Sequence, residues 1–413
     1  MSKKRITLLG LVTVVFSFGV SLLFAEMILR VNDWYRASKL GTLQLDQDVA
    51  YEFSATRHHR LIPGARYRHK EFEYDYLWAN NSLGMRDRKR SIHKDADRFR
   101  ILFLGDSMVQ GYGVPFEQSM VYRLETSLNQ PLREKKIEVF NGGVFGYSPL
   151  LEYLYLKELL PLVAPDLVLV GFFLGNDVGD DYFYTQQALV SEENDLVYFA
   201  DMKWPWDYHN EILETEASVA VGDKPEIKSI KSHRLALSGY LKSLLLKSHI
   251  ARAIKDVRDR TKKKRDYRDY NERLAKLIED RKGDININLG LINYPVGTKK
   301  QRREYWQLSI SYLKKMHQLC KADGIPMALV VIPVLEAEVN QFEEPYKVME
   351  EIGRELSVPV IQLLPEMRRW SPEEFVYELD GHWNAEGNRL AATIVDEELR
   401  DLHLLPAPLA SED

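Results

Sequence analysis

Phe99-Arg100-Ile101-Leu102-Phe103-Leu104-Gly105-Asp106-Ser107 is the stretch on which the fold turns. Its first six residues are mostly apolar on both faces, which suits a strand buried inside a parallel sheet, and they run straight into a Gly-Asp-Ser turn. Four further runs share the pattern: Ile137–Phe140 (IEVF), Asp166–Phe173 (DLVLVGFF), Met327–Ile332 (MALVVI) and Val358–Leu363 (VPVIQL). Helical periodicity occupies about 117–129, 150–160, 302–322, 345–356 and 385–399. Alternating strand and helix predicts an α/β protein with a doubly wound parallel sheet.

Ligands of such sheets bind beyond the carboxyl ends of the strands, on loops held by a rigid scaffold. The first strand ends in Gly105, Asp106 and Ser107, and the second in Asn141, Gly142, Gly143, Val144, Phe145 and Gly146. The third ends in Gly175, Asn176 and Asp177, while Asp380, Gly381, His382, Trp383 and Asn384 precede the last helix. These groups suit acyl transfer. A serine hydroxyl is a weak nucleophile and needs a neutral imidazole to take its proton, with a carboxylate to orient that imidazole. Ser107, His382 and Asp380 supply the three. Gly146 N–H, Ser107 N–H and the Asn176 amide suit a developing oxyanion. Asp380 has a competing reading as the cap of the helix that starts near Ala385, a task Asn384 also fits. Gly146 and Asn176 could equally be turn residues.

In order and approximate spacing, the four blocks resemble the SGNH (GDSL-type) hydrolases, over about 99–178 and 302–405. The resemblance implies a three-layer, flavodoxin-like fold. It puts the nucleophile on Ser107, the base on His382, the oxyanion hole on Gly146 and Asn176, and support on Asn141, while Asp106 reads as a supporting or turn residue and Asp380 remains the acid that the chemistry suggests. One difference stands out: two residues usually separate the family's acid and histidine, whereas only Gly381 does here. DGHWN looks more like the Asp-x-His-Trp form of acetyltransferase-like proteins that modify exopolysaccharides. The expected activity is thus an esterase acting on acylated carbohydrate or lipid of the cell envelope. The alternatives are an O-acyltransferase and a non-catalytic polysaccharide-binding scaffold. NSLGMRD, residues 81–87, is similar to a segment that precedes this domain in membrane-anchored bacterial relatives.

Ile6–Ala25 (ITLLGLVTVVFSFGVSLLFA) has no charge over about 20 residues, enough to cross a ~30 Å hydrocarbon core. Lys3, Lys4 and Arg5 before it predict a cytoplasmic N-terminus and a catalytic domain on the far side. A cleaved secretory signal is the competing reading, but Leu23 stands where a small residue belongs. The expected division is an anchor over 1–30, a lead-in without regular structure over 31–98, the first part of the hydrolase domain over 99–177, a helical insertion and lid over 178–301, the second part over 302–405, and a tail over 406–413.

A net charge of -5 gives no global reason to expect nucleic acid as a partner. The single Cys320 excludes an internal disulfide, and with Ser107 as nucleophile it needs no catalytic task. No histidine outside DGHWN, His58 and His59 included, stands at metal-ligand spacing beside other donors, so neither metal nor cofactor is expected. Lys262 to Arg265 and the aromatics Trp204, Trp206 and Tyr208 read first as a solvated helix face and ordinary packing, and second as polysaccharide or lipid contacts.

Overall fold

The computed structural model describes residues 13–14, 16–31, 50–130, 135–191, 196–200, 257–258, 261–262, 265, 299–334 and 343–407. Two compact units divide the chain: Met1–Gln44 with Gly222–Asn271, and Leu45–Val221 with Glu272–Asp413. In the first, residues 16–31 form helix α1, with Phe16, Phe18, Leu23, Phe24, Met27, Ile28 and Val31 exposed. Among the described residues no helix is long and apolar enough to cross a membrane. Residues 6–12 and 15 of the expected span lie outside them. So do Trp204, Trp206, Tyr208, Lys263, Lys264 and most of the expected lid.

The second unit opens with two antiparallel strand pairs, β1 (Tyr51–Ser54) with β2 (His58–Leu61) and β3 (Arg66–Lys70) with β4 (Asp75–Ala79). They correct the expectation of a lead-in without regular structure. Each strand is only four or five residues long, so the period-2 pattern repeats barely twice. It is nonetheless present: Tyr67, His69, Tyr76 and Trp78 face inward, while Arg66, Lys70 and Leu77 face out.

The main sheet then begins with β5 (Arg98–Gly105), followed by α2 (Ser107–Gln110), α3 (Met120–Leu128), β6 (Lys136–Gly143), α4 (Pro149–Val163), β7 (Leu167–Phe173) and α5 (Asp177–Gln187). A strand pair follows, β8 (Ala188–Ser191) with β9 (Leu196–Phe199), so the segment expected to be a helical insertion opens with one helix and a hairpin. After α6 (Lys299–Ala322) come β10 (Met327–Ile332), α7 (Glu344–Leu356), β11 (Val360–Gln362), α8 (Leu364–Met367), α9 (Pro372–Phe375) and α10 (Ala385–Asp401).

The sheet order is β6-β5-β7-β10-β11, with every neighbour parallel. From Ile101 to Leu104, from Leu167 to Phe172 and from Met327 to Ile332 the strands are buried, as an apolar run covered on both faces must be. Helices α3 and α10 pack on each other, with α3 against β6; α4 packs on α6 and against β5. The doubly wound expectation therefore holds. Because the chain goes from β5 to β6 and then crosses to β7 on the other side of β5, the strand order reverses there, and a crevice forms where such folds hold their ligands.

The lead-in is fastened to the loop that follows the crevice's first turn. Arg86 is fully buried between Gln110 O, at 2.9 Å, and the carbonyls of Gly111 and Val114, with its guanidinium 4.3 Å from the Trp78 ring centroid. Asp87 and Arg90 continue the fastening: Arg90 bonds Asp87 and Glu125, and Asp87 Oδ2 accepts from Asn141 N–H at 3.2 Å. NSLGMRD is thus a clamp on the strand ends. Arg86→Met leaves three buried carbonyls without this donor, which should cost about 3 kcal/mol or more. Urea unfolding of the variant, set beside wild type, measures the loss; an unchanged midpoint would deny Arg86 its clamping part.

Candidate active site

Ser107 stands at the first turn of α2 because Asp106 caps it, the Asp106 carboxylate accepting from Met108 N–H at 2.9 Å. The turn is pressed against β6. A Cβ on Gly143 would lie 2.2 Å from Gln110 N, so only glycine lets the two backbones approach this closely. Asn141 ties the same pieces together, with Oδ1 accepting from Gly143 N–H at 3.0 Å and Nδ2 reaching Gln110 O at 3.4 Å.

The loop between α9 and α10 brings the other two groups to Ser107. His382 Nε2 lies 2.8 Å from Ser107 Oγ, and His382 Nδ1 is hydrogen-bonded to Asp380 Oδ1. An imidazole with one nitrogen on the carboxylate and the other on the hydroxyl is placed to take the serine proton. Gly381 adopts φ +80° in a turn where Gly381 N–H donates to Tyr377 O at 3.0 Å and Tyr377 N–H to His382 O at 2.9 Å. That left-handed residue folds acid and base toward each other across a single intervening position. Asn384 caps α10, accepting from Glu386 and Gly387 N–H, so Asp380 is not the cap.

The two expected oxyanion donors sit on the neighbouring loops. Gly146, at φ +71°, is the third residue of a turn closed by Tyr147 N–H and Val144 O at 3.0 Å, and its carbonyl accepts from Tyr184 at 2.7 Å. Asn176 precedes α5 at the end of β7, with Nδ2 donating to Asp180 Oδ2 at 2.9 Å. The structure joins Ser107, His382 and Asp380 by direct hydrogen bonds. It puts Gly146 and Asn176 on the adjacent strand-end loops, without a hydrogen bond between either and Ser107.

Two residues escaped the sequence reading. Tyr74 OH donates to Asp380 Oδ2 at 2.9 Å, and Glu73 Oε2 accepts from the N–H groups of Leu379 and Asp380 at 2.8 and 3.1 Å. Both come from the lead-in, some 306 positions away in sequence. The only available signal was the alternation RYRHK…DYLWA around them, which marks a hairpin and hence a tip.

Behind Ser107 lie buried carboxyls: Asp106, Glu152, Asp177, Asp180 and Asp181. Burial raises the pKa of every one, and their mutual repulsion raises those of Glu152, Asp177 and Asp180 further. Neither Glu152 oxygen has a hydrogen-bond partner among the described residues, which fits a neutral acid and not a carboxylate. Asp181 is pushed up to about 6 even though Ser148 Oγ, Leu150 N–H and Ser309 Oγ donate to it at 2.6, 2.8 and 2.5 Å.

No protein-family model matches the sequence, and no curated protein matches it. Among solved structures, it is similar to a lipase/acylhydrolase from Enterococcus faecalis, at 16% identity and TM-score 0.35 over 74% of this chain and 96% of that one. A psychrotrophic esterase from a Pseudoalteromonas species is similar at 11% identity and TM-score 0.36, over 74% of this chain and 98% of the other. A two-domain esterase active on acetylated mannans is similar at 12% identity and TM-score 0.37, over 76% of this chain and 53% of its own. Likenesses at this level leave the chemistry to be argued from the side chains.

The raised Asp181 makes stability depend on pH in a stated direction. Its folded value lies above the ordinary 3.8, so its contribution is complete below about pH 4 and is lost as pH rises through about 6. Asp181→Asn keeps the size and the acceptor but does not titrate. The variant should therefore gain on wild type between pH 4 and 7, by on the order of 3 kcal/mol at most, since one pKa unit is worth about 1.4 kcal/mol. Urea midpoints of both proteins across that range test this, and parallel curves would refute it.

Proposed function

We propose that the protein is a serine-dependent ester hydrolase. The observation that carries this reading is the continuous hydrogen-bonded line Ser107 Oγ, His382 Nε2, His382 Nδ1, Asp380 Oδ1 at the carboxyl end of β5. In the reaction, Ser107 Oγ attacks the ester carbonyl while His382 Nε2 takes its proton, and Asp380 holds the imidazole and faces the cation that forms. His382 then returns the proton to the leaving alcohol, and water, activated by the same imidazole, releases the acyl group. The backbone N–H of Ser107, the N–H of Gly146 and the second Nδ2 hydrogen of Asn176 are the donors for the tetrahedral oxyanion.

The substrate in this reading is an acylated carbohydrate or lipid of the cell envelope. Half-buried Tyr112 and Phe145 place their rings 4.8 and 6.3 Å from the His382 ring, and such flat apolar surfaces suit a sugar face or an acyl chain. The exposed apolar residues of α1, behind Lys3, Lys4 and Arg5, support attachment to a membrane with the catalytic domain outside the cytoplasm.

A fluorophosphonate probe should label the folded wild-type protein, and Ser107→Ala should abolish the labelling. The same substitution should slow p-nitrophenyl acetate hydrolysis by about 1,000-fold or more. Wild-type protein that neither labels nor releases p-nitrophenol would defeat the hydrolase reading and leave a scaffold that keeps the fold without turnover.

A further inference from the structure

The hairpin tip joining β3 to β4 is a four-residue loop, Glu71 to Tyr74, closed by Glu71 N–H donating to Tyr74 O at 2.9 Å. It reaches the turn that carries Asp380 and holds it at two levels. Glu73 Oε2 accepts from the backbone N–H groups of Leu379 and Asp380, which fixes the peptide, and Tyr74 OH donates to Asp380 Oδ2, which fixes the carboxylate. His382 occupies the other carboxylate oxygen, so each Asp380 oxygen has its own partner and the group cannot turn without breaking one of the bonds. Tyr112 completes the arrangement, its ring centroid 6.2 Å from that of Tyr74 and 4.8 Å from that of His382.

We infer that Tyr74 and Glu73 are positioning residues of the reaction: through Asp380 they hold the imidazole of His382 toward Ser107, so that the lead-in supplies part of the acid–base machinery. This rests on the serine-hydrolase reading above. The chemistry gives the two residues different tolerances. Tyr74 is buried, and burial together with the Asp380 carboxylate holds its phenol neutral well above the ordinary range, so it stays a donor throughout the working pH range. Glu73 acts only as an acceptor from backbone, a role that a glutamine carbonyl can fill.

The test compares Tyr74→Phe, Glu73→Gln and Glu73→Ala with wild type in the full chain. Tyr74→Phe should lower kcat by about 10- to 100-fold with KM within twofold, because the acid's orientation matters to the transition state and not to substrate binding. Glu73→Gln should keep kcat within about threefold, whereas Glu73→Ala should lose tenfold or more. A second readout needs no turnover: wild type should show a far-downfield proton resonance from the His382 Nδ1–H bonded to Asp380, and it should shift or broaden away in Tyr74→Phe. Wild-type kcat together with an unmoved resonance in Tyr74→Phe would overturn the inference, as would equal losses in the two Glu73 variants. Should wild type show no Ser107-dependent turnover, the hydrolase reading falls alone, and the resonance still decides whether Tyr74 positions the pair.

Discussion

The 2.8 Å hydrogen bond between Ser107 Oγ and His382 Nε2 joins residues 275 positions apart, and contacts from several separate elements hold the two turns that carry them. Neither residue sits in a long element. Ser107 opens a four-residue helix, and His382 lies in the loop before the last helix. Their precision comes instead from what abuts them: Asp106 capping one turn, Gly143 admitting its backbone, and Asn384 fixing the start of α10. A catalytic geometry good to a fraction of an ångström requires this kind of support, since misplacement by about 1 Å can cost a hundredfold in rate.

That support extends to the lead-in, which the expected division at residue 98 set apart but which belongs to the same compact unit as the main sheet. Residues 71 to 90 reach both sides of the hydrogen-bonded pair, with Arg86 fastening the loop after Ser107 and Glu73 and Tyr74 fastening the turn that carries Asp380. The buried arginine reaches three carbonyls through its two terminal nitrogens, its Nε has no hydrogen-bond partner among the described residues, and the guanidinium also faces the rings of Trp78 and Tyr76. Such an arrangement costs desolvation but is strict about geometry, because any displacement orphans a buried acceptor. Physically, then, the lead-in belongs to the site.

How far the sequence reading reached follows from the physics of each element. Met327–Ile332 emerged with its bounds intact, because a six-residue apolar run needs no partner to be recognised. Ser107, His382 and Asp380 were legible because their chemistry is written in local motifs, GDS and DGHW, and each motif sits at a strand end or a helix start. The lead-in strands were not, since β3 and β4 carry only two inward residues apiece, one of those in β3 is a histidine, and Arg66, Arg68 and Lys70 alternate with them. Glu73 and Tyr74 could not have been found at all from local pattern. One acts on backbone amides, which leave no sequence signature, and the other on a carboxylate more than 300 residues away. Asp106, Asp177, Asp180 and Asp181 lay in plain sight in and after GDS and GND, but that burial raises the pKa of Glu152 shows only in the tertiary structure.

The one-residue spacing of Asp380 and His382 departs from the usual family pattern, and the backbone shows how so short a spacing still lets the two side chains meet. A β-carbon at residue 381 would meet no neighbouring atom, so the demand at this position is conformational: φ +80° is a region glycine enters freely and other residues rarely. Through that residue the chain doubles back, Tyr377 pairs with His382 and Val376 with Trp383, and the two side chains meet. A wider loop would need its own bracing. The tight turn is braced from outside, by a carboxylate that accepts its amides and a phenol that holds its acid. Short spacing and hairpin tip therefore act together: the turn sets Asp380 beside His382, and the lead-in holds that turn through its amides and its carboxylate.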